Sequence, residues 1–257
     1  MDIRLQHVDL PDFGLPAAQP TLNQALYEAR LQRLRARMAE QKLDCVVVYG
    51  DREHNANIAY LCGYDPRFEE GLLIIRPSGT PALLVGNEGW GYAELAPLPV
   101  RRILYQTLSL LGQDRSRSRR LETILADEGV APGAVVGVAG WKYFGEDELA
   151  GARHQFEVPS YLIDALRKLT GDPRRVANVN DLFMNPVDGL RILNEAEQLA
   201  LFEFASCHSS GGLRNVLFKM RPGMTELEAS TLMAISGFPH AAHTMLSCGP
   251  RAAYGLP

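Results

Sequence analysis

The sequence predicts an α/β fold whose first part is built on a mixed β-sheet. Three observations predict it. Helical apolar spacing over residues 22–42 runs into Cys45-Val-Val-Val-Tyr49, a short continuous apolar run rich in β-branched residues, as a buried strand requires. Two more apolar runs, Leu72–Ile75 and Pro81–Val85, are separated by Pro-Ser-Gly-Thr, turn chemistry that joins antiparallel strands. Further runs at Arg102–Tyr105 and Ala134–Val138 alternate with helical stretches at 116–128 and 159–169. A hairpin among alternating strands and helices makes the sheet mixed rather than all-parallel.

Taken in order, residues 1–21 carry three prolines and little periodicity, so they read as an extended arm. The helix at 22–42 places Leu26, Ala29, Leu31, Leu34 and Met38 on one side and arginines and glutamates on the other. The basic run Arg115–Arg120 leads directly into Leu-Glu-Thr-Ile-Leu and reads as the solvated start of a helix. Turn-rich segments at 170–174 and 185–189 then break the pattern, and a domain boundary is placed near Gly189. From Leu190 to Phe218 the spacing predicts one long helix; Gly211 and Gly212 within it cost roughly 1 kcal/mol each against alanine, so a kink or close packing is expected there. Pro222 and Gly223 stop it. Thr225-Glu-Leu-Glu228 is a capping box, and the helix it opens is expected to run through Leu227, Leu232 and Ile235 to Gly237.

Composition bounds the function. The chain has 257 residues, 46% of them hydrophobic and 22% charged, enough apolar material for a sizeable core. A formal net charge of −4 gives no basic field for nucleic acid or anionic lipid. No run is long and apolar enough for a secretory leader or a membrane span, and the four cysteines form no CxxC pair; a cytoplasmic protein with buried structural thiols is expected. Trp90 and Trp141 read as core or interface aromatics. The glycines of 133–145 lack the GxGxxG order, and no nucleophile elbow is present.

The order of motifs is more specific. A long helix, LRILNEAEQLALFEFAS, is followed by MRPGMTELEA, a second helix, and HTMLSCGPRAA, a short apolar strand ending in S-x-G. Upstream, Asn57-Ile-Ala-Tyr-Leu-Cys-Gly-Tyr-Asp-Pro66 carries an asparagine before Y-L-x-G-[YF]. Over residues 22–257 the chain resembles the creatinase, prolidase and aminopeptidase P family. Beyond the arm at 1–21, the resemblance implies an N-terminal creatinase/prolidase-like domain at 22–188 and at 189–257 the start of a pita-bread α+β catalytic domain. Members of that family use two divalent metals, held by two aspartates, a histidine and two glutamates on strands that follow the S-x-G segment. This sequence ends at Pro257, before those positions, so no catalytic residue and no metal ligand is expected in it.

The resemblance implies two divalent metals, manganese, cobalt or zinc, for a full-length parent, along with a small peptide or amide substrate and a homodimer. The chain alone is expected to be catalytically silent, with its helices beyond Leu190 exposing apolar faces. Candidate substrate-binding residues are His54, Tyr64 and Arg67, which flank the Y-L-C-G-Y turn, and His243, spaced three residues from His240. The family commonly places a histidine seven residues beyond the glycine of S-x-G; here that position is Leu256. Leu256 raises an alternative, a non-catalytic member of the family kept for dimerisation or ligand binding.

Overall fold

In the computed structural model the described residues are all except 1, 2, 5, 10–13, 236, 241, 243 and 255–257. They form two compact units, one of residues 22–194 and one of residues 1–21 with 195–257.

The first unit is a six-stranded mixed sheet between two helical layers. Its strands are β1 (Cys45–Gly50), β2 (Gly71–Ile75), β3 (Ala82–Val85), β4 (Arg101–Leu104), β5 (Val136–Ala139) and β6 (Val176–Asn178), in the spatial order β4-β3-β2-β1-β5-β6. The hairpin β2–β3 is antiparallel, with Leu72 opposite Leu84, and β2 is antiparallel to β1. β1, β5 and β6 run parallel, so their carboxyl ends share one edge of the sheet. Alternation of side chains splits β1 between two cores. Val46 and Val48 face α1 (Gln24–Glu40) and α2 (Ala56–Cys62). Cys45, Val47 and Tyr49 face α4 (Leu121–Asp127) and α5 (Ser160–Thr170). Between them lie the short helix α3 (Gly89–Tyr92) and, after β6, α6 (Asp181–Met184).

The motif glycine in Y-L-C-G-Y has a physical reason. Gly63 ends α2 at φ +74°, and a Cβ there would lie 2.6 Å from the Pro97 ring. Glu69, buried, accepts from the backbone N–H of Glu88 and Gly89 and so caps the start of α3.

Several expectations change. Residues 116–120 are not helical, and the helix begins only at Leu121. The buried Gln106 captures this segment: its Oε1 accepts from Arg117 N–H at 2.7 Å, and Asp114 bonds Ser116. Leu190–Asn194 is not helical. Leu190 N–H donates to Leu182 O and Arg191 N–H to Phe183 O, which ties these residues to α6. The three-residue β6 and the short α6 carry too little pattern to be read from sequence.

In the second unit α7 (Ala196–Lys219) runs unbroken through Gly211 and Gly212; close packing, not a kink, explains Gly212, whose Cβ would lie 2.7 Å from Ile235. The capping box of Thr225 and Glu228 is formed, but the helix it opens, α8 (Glu226–Thr231), stops well short of Gly237. Ser230 and Thr231 hydroxyls bond back to Leu227 O and Glu228 O, competing with the next helical turn. Residues 244–248 are not a strand. Leu199, Phe202, Leu213 and Leu217 on α7 are exposed. Cys45 and Cys62 are buried, each thiol pushed up to about 12 by burial, whereas Cys207 is half-buried and Cys248 exposed, which corrects the expectation of four buried thiols. Among the described residues no helix is long and apolar enough to cross a membrane.

Candidate functional site

The edge where β1, β5 and β6 end gathers one cluster of polar side chains of the first unit. Chain segments leaving the carboxyl ends of adjacent parallel strands diverge, and the space between them is where α/β sheets place ligands. Three short polar segments leave here: Gly50-Asp-Arg-Glu-His-Asn55 after β1, Gly140-Trp-Lys142 after β5, and Val179-Asn-Asp181 after β6.

The loop after β1 is organised by Asp51. One carboxylate oxygen, Oδ1, accepts from the backbone N–H of Glu53 (2.9 Å) and of His54 (2.8 Å), an Asx turn. The same carboxylate lies 3.0 Å from His54 Nδ1. An ionised carboxylate only accepts, so Nδ1 carries the proton and Nε2 becomes the free face of the ring. The imidazole is stacked on Trp141, with ring centroids 4.0 Å apart and planes 19° from parallel. Trp141 is held in turn by Glu157, which accepts from the N–H of Trp141 (2.5 Å) and Lys142 (2.8 Å). His54 is therefore clamped by an acceptor on one edge and an indole on one face, and its side chain is 36% exposed.

Beneath it runs a buried amide network. Asn57 Nδ2 donates to Gly140 O (2.8 Å) and Asn180 Oδ1 (3.3 Å), joining α2 to the ends of β5 and β6. Asn180 Nδ2 donates to Glu157 Oε1 (2.9 Å), and Asn57 Oδ1 accepts from Arg191 Nη1 (3.0 Å). On the other face of the sheet, Glu70 is flanked by the hydroxyls of Tyr49 and Tyr161. Burial raises the Glu70 carboxyl above its ordinary value, with the two tyrosine hydrogen bonds opposing the shift. Burial likewise raises Tyr49 and Tyr161, with the Glu70 charge adding to each.

The sequence-derived candidates fall in different places. His54 is at the centre of this edge. Arg67, exposed on a turn at φ +61°, pairs with Asp65 at 3.4 Å. Asp65 also lies 3.5 Å from Asn55 Nδ2, so the His54 loop and the Arg67 turn are linked through one carboxylate. Tyr64 is a core residue, 1% exposed, and its hydroxyl has no hydrogen-bond partner; burial raises it, with the Glu69 charge next. It presents no surface to a ligand. His240 is exposed, and His243 and Leu256 lie outside the described residues.

Asp51, Asn57, Trp141, Glu157, Asn180 and Arg191 were not among the candidates. A positional signal could have found Asp51, Trp141 and Asn180, each of which closely follows an apolar strand run, whereas Asn57, Glu157 and Arg191 carry no such signal. Among the described residues no group of three or more His, Cys, Asp or Glu side chains could hold a metal ion. The donor set of the described residues does not fit a two-metal centre. The second unit has two open clefts, of ≈ 1090 Å³ and ≈ 610 Å³, and the smaller is lined largely by apolar side chains such as Leu201, Phe204 and Val216.

Comparison with known proteins bears on the whole arrangement. The sequence model of the Creatinase/Prolidase N-terminal domain matches residues 30–167. No curated protein matches the chain in sequence. Among solved structures, the prolidase from Pyrococcus horikoshii OT3 is similar over 81% of this chain and 49% of its own, at 15% identity and a TM-score of 0.55. The prolidase from Pyrococcus furiosus is similar over 79% and 52%, at 16% identity and a TM-score of 0.55. The Xaa-Pro dipeptidase from Bacillus anthracis is similar over 80% and 47%, at 11% identity and a TM-score of 0.52. At these identities the likeness is one of fold, and the chain spans about half the length of the solved structures it matches.

Proposed function

The chain belongs to the Creatinase/Prolidase N-terminal domain family, and from that premise we propose that it supplies the substrate-facing N-terminal domain of a longer metallohydrolase. The reaction is hydrolysis of an Xaa-Pro dipeptide or a related C–N bond. Residues beyond Pro257 complete the pita-bread domain and carry two divalent metals. The exposed apolar side of α7 supports this, because Leu199, Phe202, Leu213 and Leu217 need a covering surface. The protein works as a homodimer in which the edge carrying His54 helps to close the partner's catalytic centre.

The observation that carries the reading is the Asp51–His54–Trp141 assembly. A histidine with Nδ1 bonded to a carboxylate and one ring face covered is pre-organised, so little rotamer entropy is lost when Nε2 meets a ligand. His54 is assigned a hydrogen bond to the carbonyl or carboxylate of the substrate. Arg67 is assigned the outer rim of the same site, with its guanidinium released from Asp65 when an anionic group arrives. Tyr64 acts beneath them by packing α2 and the Gly63 turn.

Reading the coding frame past codon 257 tests the proposal. An extension with two aspartates, a histidine and two glutamates in that order is expected. An extension without them favours the non-catalytic relative, and a stop codon overturns the enzyme reading.

A further inference from the structure

Arg191 is a half-buried guanidinium whose hydrogen bonds among the described residues all go to neutral atoms. Its backbone is fixed: Arg191 N–H donates to Phe183 O (3.0 Å), and Tyr60 Oη donates to Leu190 O (2.9 Å). Its side chain is half-buried, and burial lowers its pKa from the ordinary value. Nη1 donates to Asn57 Oδ1 (3.0 Å) and to Met184 Sδ (3.3 Å), and among the described residues no carboxylate pairs with it. Some guanidinium groups of the unit find anions, Arg37 pairing with Asp188, Arg101 with Glu128 and Arg102 with Glu94, and others, such as Arg35 and Arg175, bond backbone carbonyls. Arg191 is set apart by its bond to a buried side-chain amide at the polar edge of the sheet. Taking a cation out of water without an anion is unfavourable, and neutral hydrogen bonds recover only part of the lost hydration.

Asn57 fixes how this cation is presented. Its Nδ2 is engaged with Gly140 O and Asn180 Oδ1, so the amide cannot flip without setting an N–H₂ group against Arg191. Nη1 is thus anchored from within the fold, while Nε and Nη2 have no hydrogen-bond partner among the described residues. Those two groups form one edge of the guanidinium fork, and their spacing matches the two oxygens of a carboxylate.

We propose that Arg191 is a carboxylate-binding residue, receiving one carboxylate on its Nε–Nη2 edge, at the sheet edge that also carries His54. A single guanidinium with neutral neighbours suits a singly charged planar anion; a phosphate dianion calls for a second cation. The carboxylate belongs to a small molecule or to a peptide C-terminus. The assignment stands apart from the metallohydrolase reading, since it concerns an anion bound by this chain alone.

The Nε–Hε signal of Arg191 in the ¹⁵N-labelled chain tests it. Sodium acetate and glycyl-proline, titrated at constant ionic strength, are expected to shift this signal along a saturable curve. Sodium chloride and glycyl-prolinamide, which lacks the carboxylate, are expected not to. Saturation by glycyl-proline at much lower concentration than acetate identifies a peptide C-terminus as the ligand; equal concentrations identify a small carboxylate. R191K keeps the charge without the fork and is expected to weaken binding at least about tenfold. Tryptophan fluorescence of Trp90 and Trp141 verifies that the variant is folded. The proposal is overturned if acetate moves Arg191 no more than the exposed Arg153, or if a folded R191K chain binds acetate as tightly as the parent.

Discussion

Asn57 is the residue through which the polar edge is joined, and Asn57→Ala measures its worth. Asn57 is 2% exposed and makes three hydrogen bonds, to Gly140 O, Asn180 Oδ1 and Arg191 Nη1. Two of these are neutral and contribute about 1 kcal/mol each; the third, to a charged group, contributes about 1.5–3 kcal/mol. The substitution is therefore expected to destabilise the first unit by about 3–5 kcal/mol, with the stranded Gly140 carbonyl accounting for part of that cost. Trp90 and Trp141 both belong to this unit, so urea unfolding followed by fluorescence reports on it directly. A cycle with Arg191→Gln separates the shared bond from the rest. The double variant is expected to be less destabilised than the sum of the singles, with a coupling of about 1.5–3 kcal/mol. A loss below about 1 kcal/mol for Asn57→Ala, or additivity of the two changes within about 0.5 kcal/mol, would refute the network as drawn.

Four further outcomes are expected. Gly89→Ala sets a Cβ 2.5 Å from Tyr64 Oη and 3.1 Å from Val85 Cβ, so overpacking should lower the urea midpoint by an amount equivalent to about 1–3 kcal/mol. Glu70 has its folded pKa raised, chiefly by burial, so the folded state binds its proton more tightly than the unfolded chain; stability from this group is present at acid pH and is lost as pH rises through the folded pKa. Glu70→Gln should flatten the part of the stability–pH curve that lies above the ordinary glutamate range, and an unchanged slope would count against the assignment. Asp51→Asn removes the ionised acceptor at His54 Nδ1, so ¹⁵N shifts of the ring should show more of the Nε2–H tautomer, whereas an unchanged tautomer would separate the two residues. In a thiol-reagent assay Cys248 should react first and Cys207 next, while Cys45 and Cys62, both pushed up to about 12, should react only on unfolding.

What the sequence made legible follows from how local each signal is. The Cys45–Tyr49 run, the Leu72–Val85 hairpin and the Thr225 capping box are each encoded within one short local stretch, and each formed as read. Residues 116–120 failed as a helix because the competing partner, Gln106, lies eleven residues before Arg117 and shows only once folded. Residues 190–194 fit the helical period, yet their backbone bonds to α6 prevailed over it. The site divides in the same way. His54 was found through the motif beside it, but Trp141, which stacks on it, arrives from another strand. Arg191 was concealed within an apparent helix, and its meaning depends on Asn57, far away in the chain.

The central claim is that this chain presents a ligand-facing edge and leaves the metal chemistry to residues it does not contain. Assaying the purified 257-residue chain with manganese and glycyl-proline tests it most directly. The account predicts no release of proline above the metal-only control. Sustained turnover that copurifies with the chain, stops on chelation and returns with manganese would contradict it.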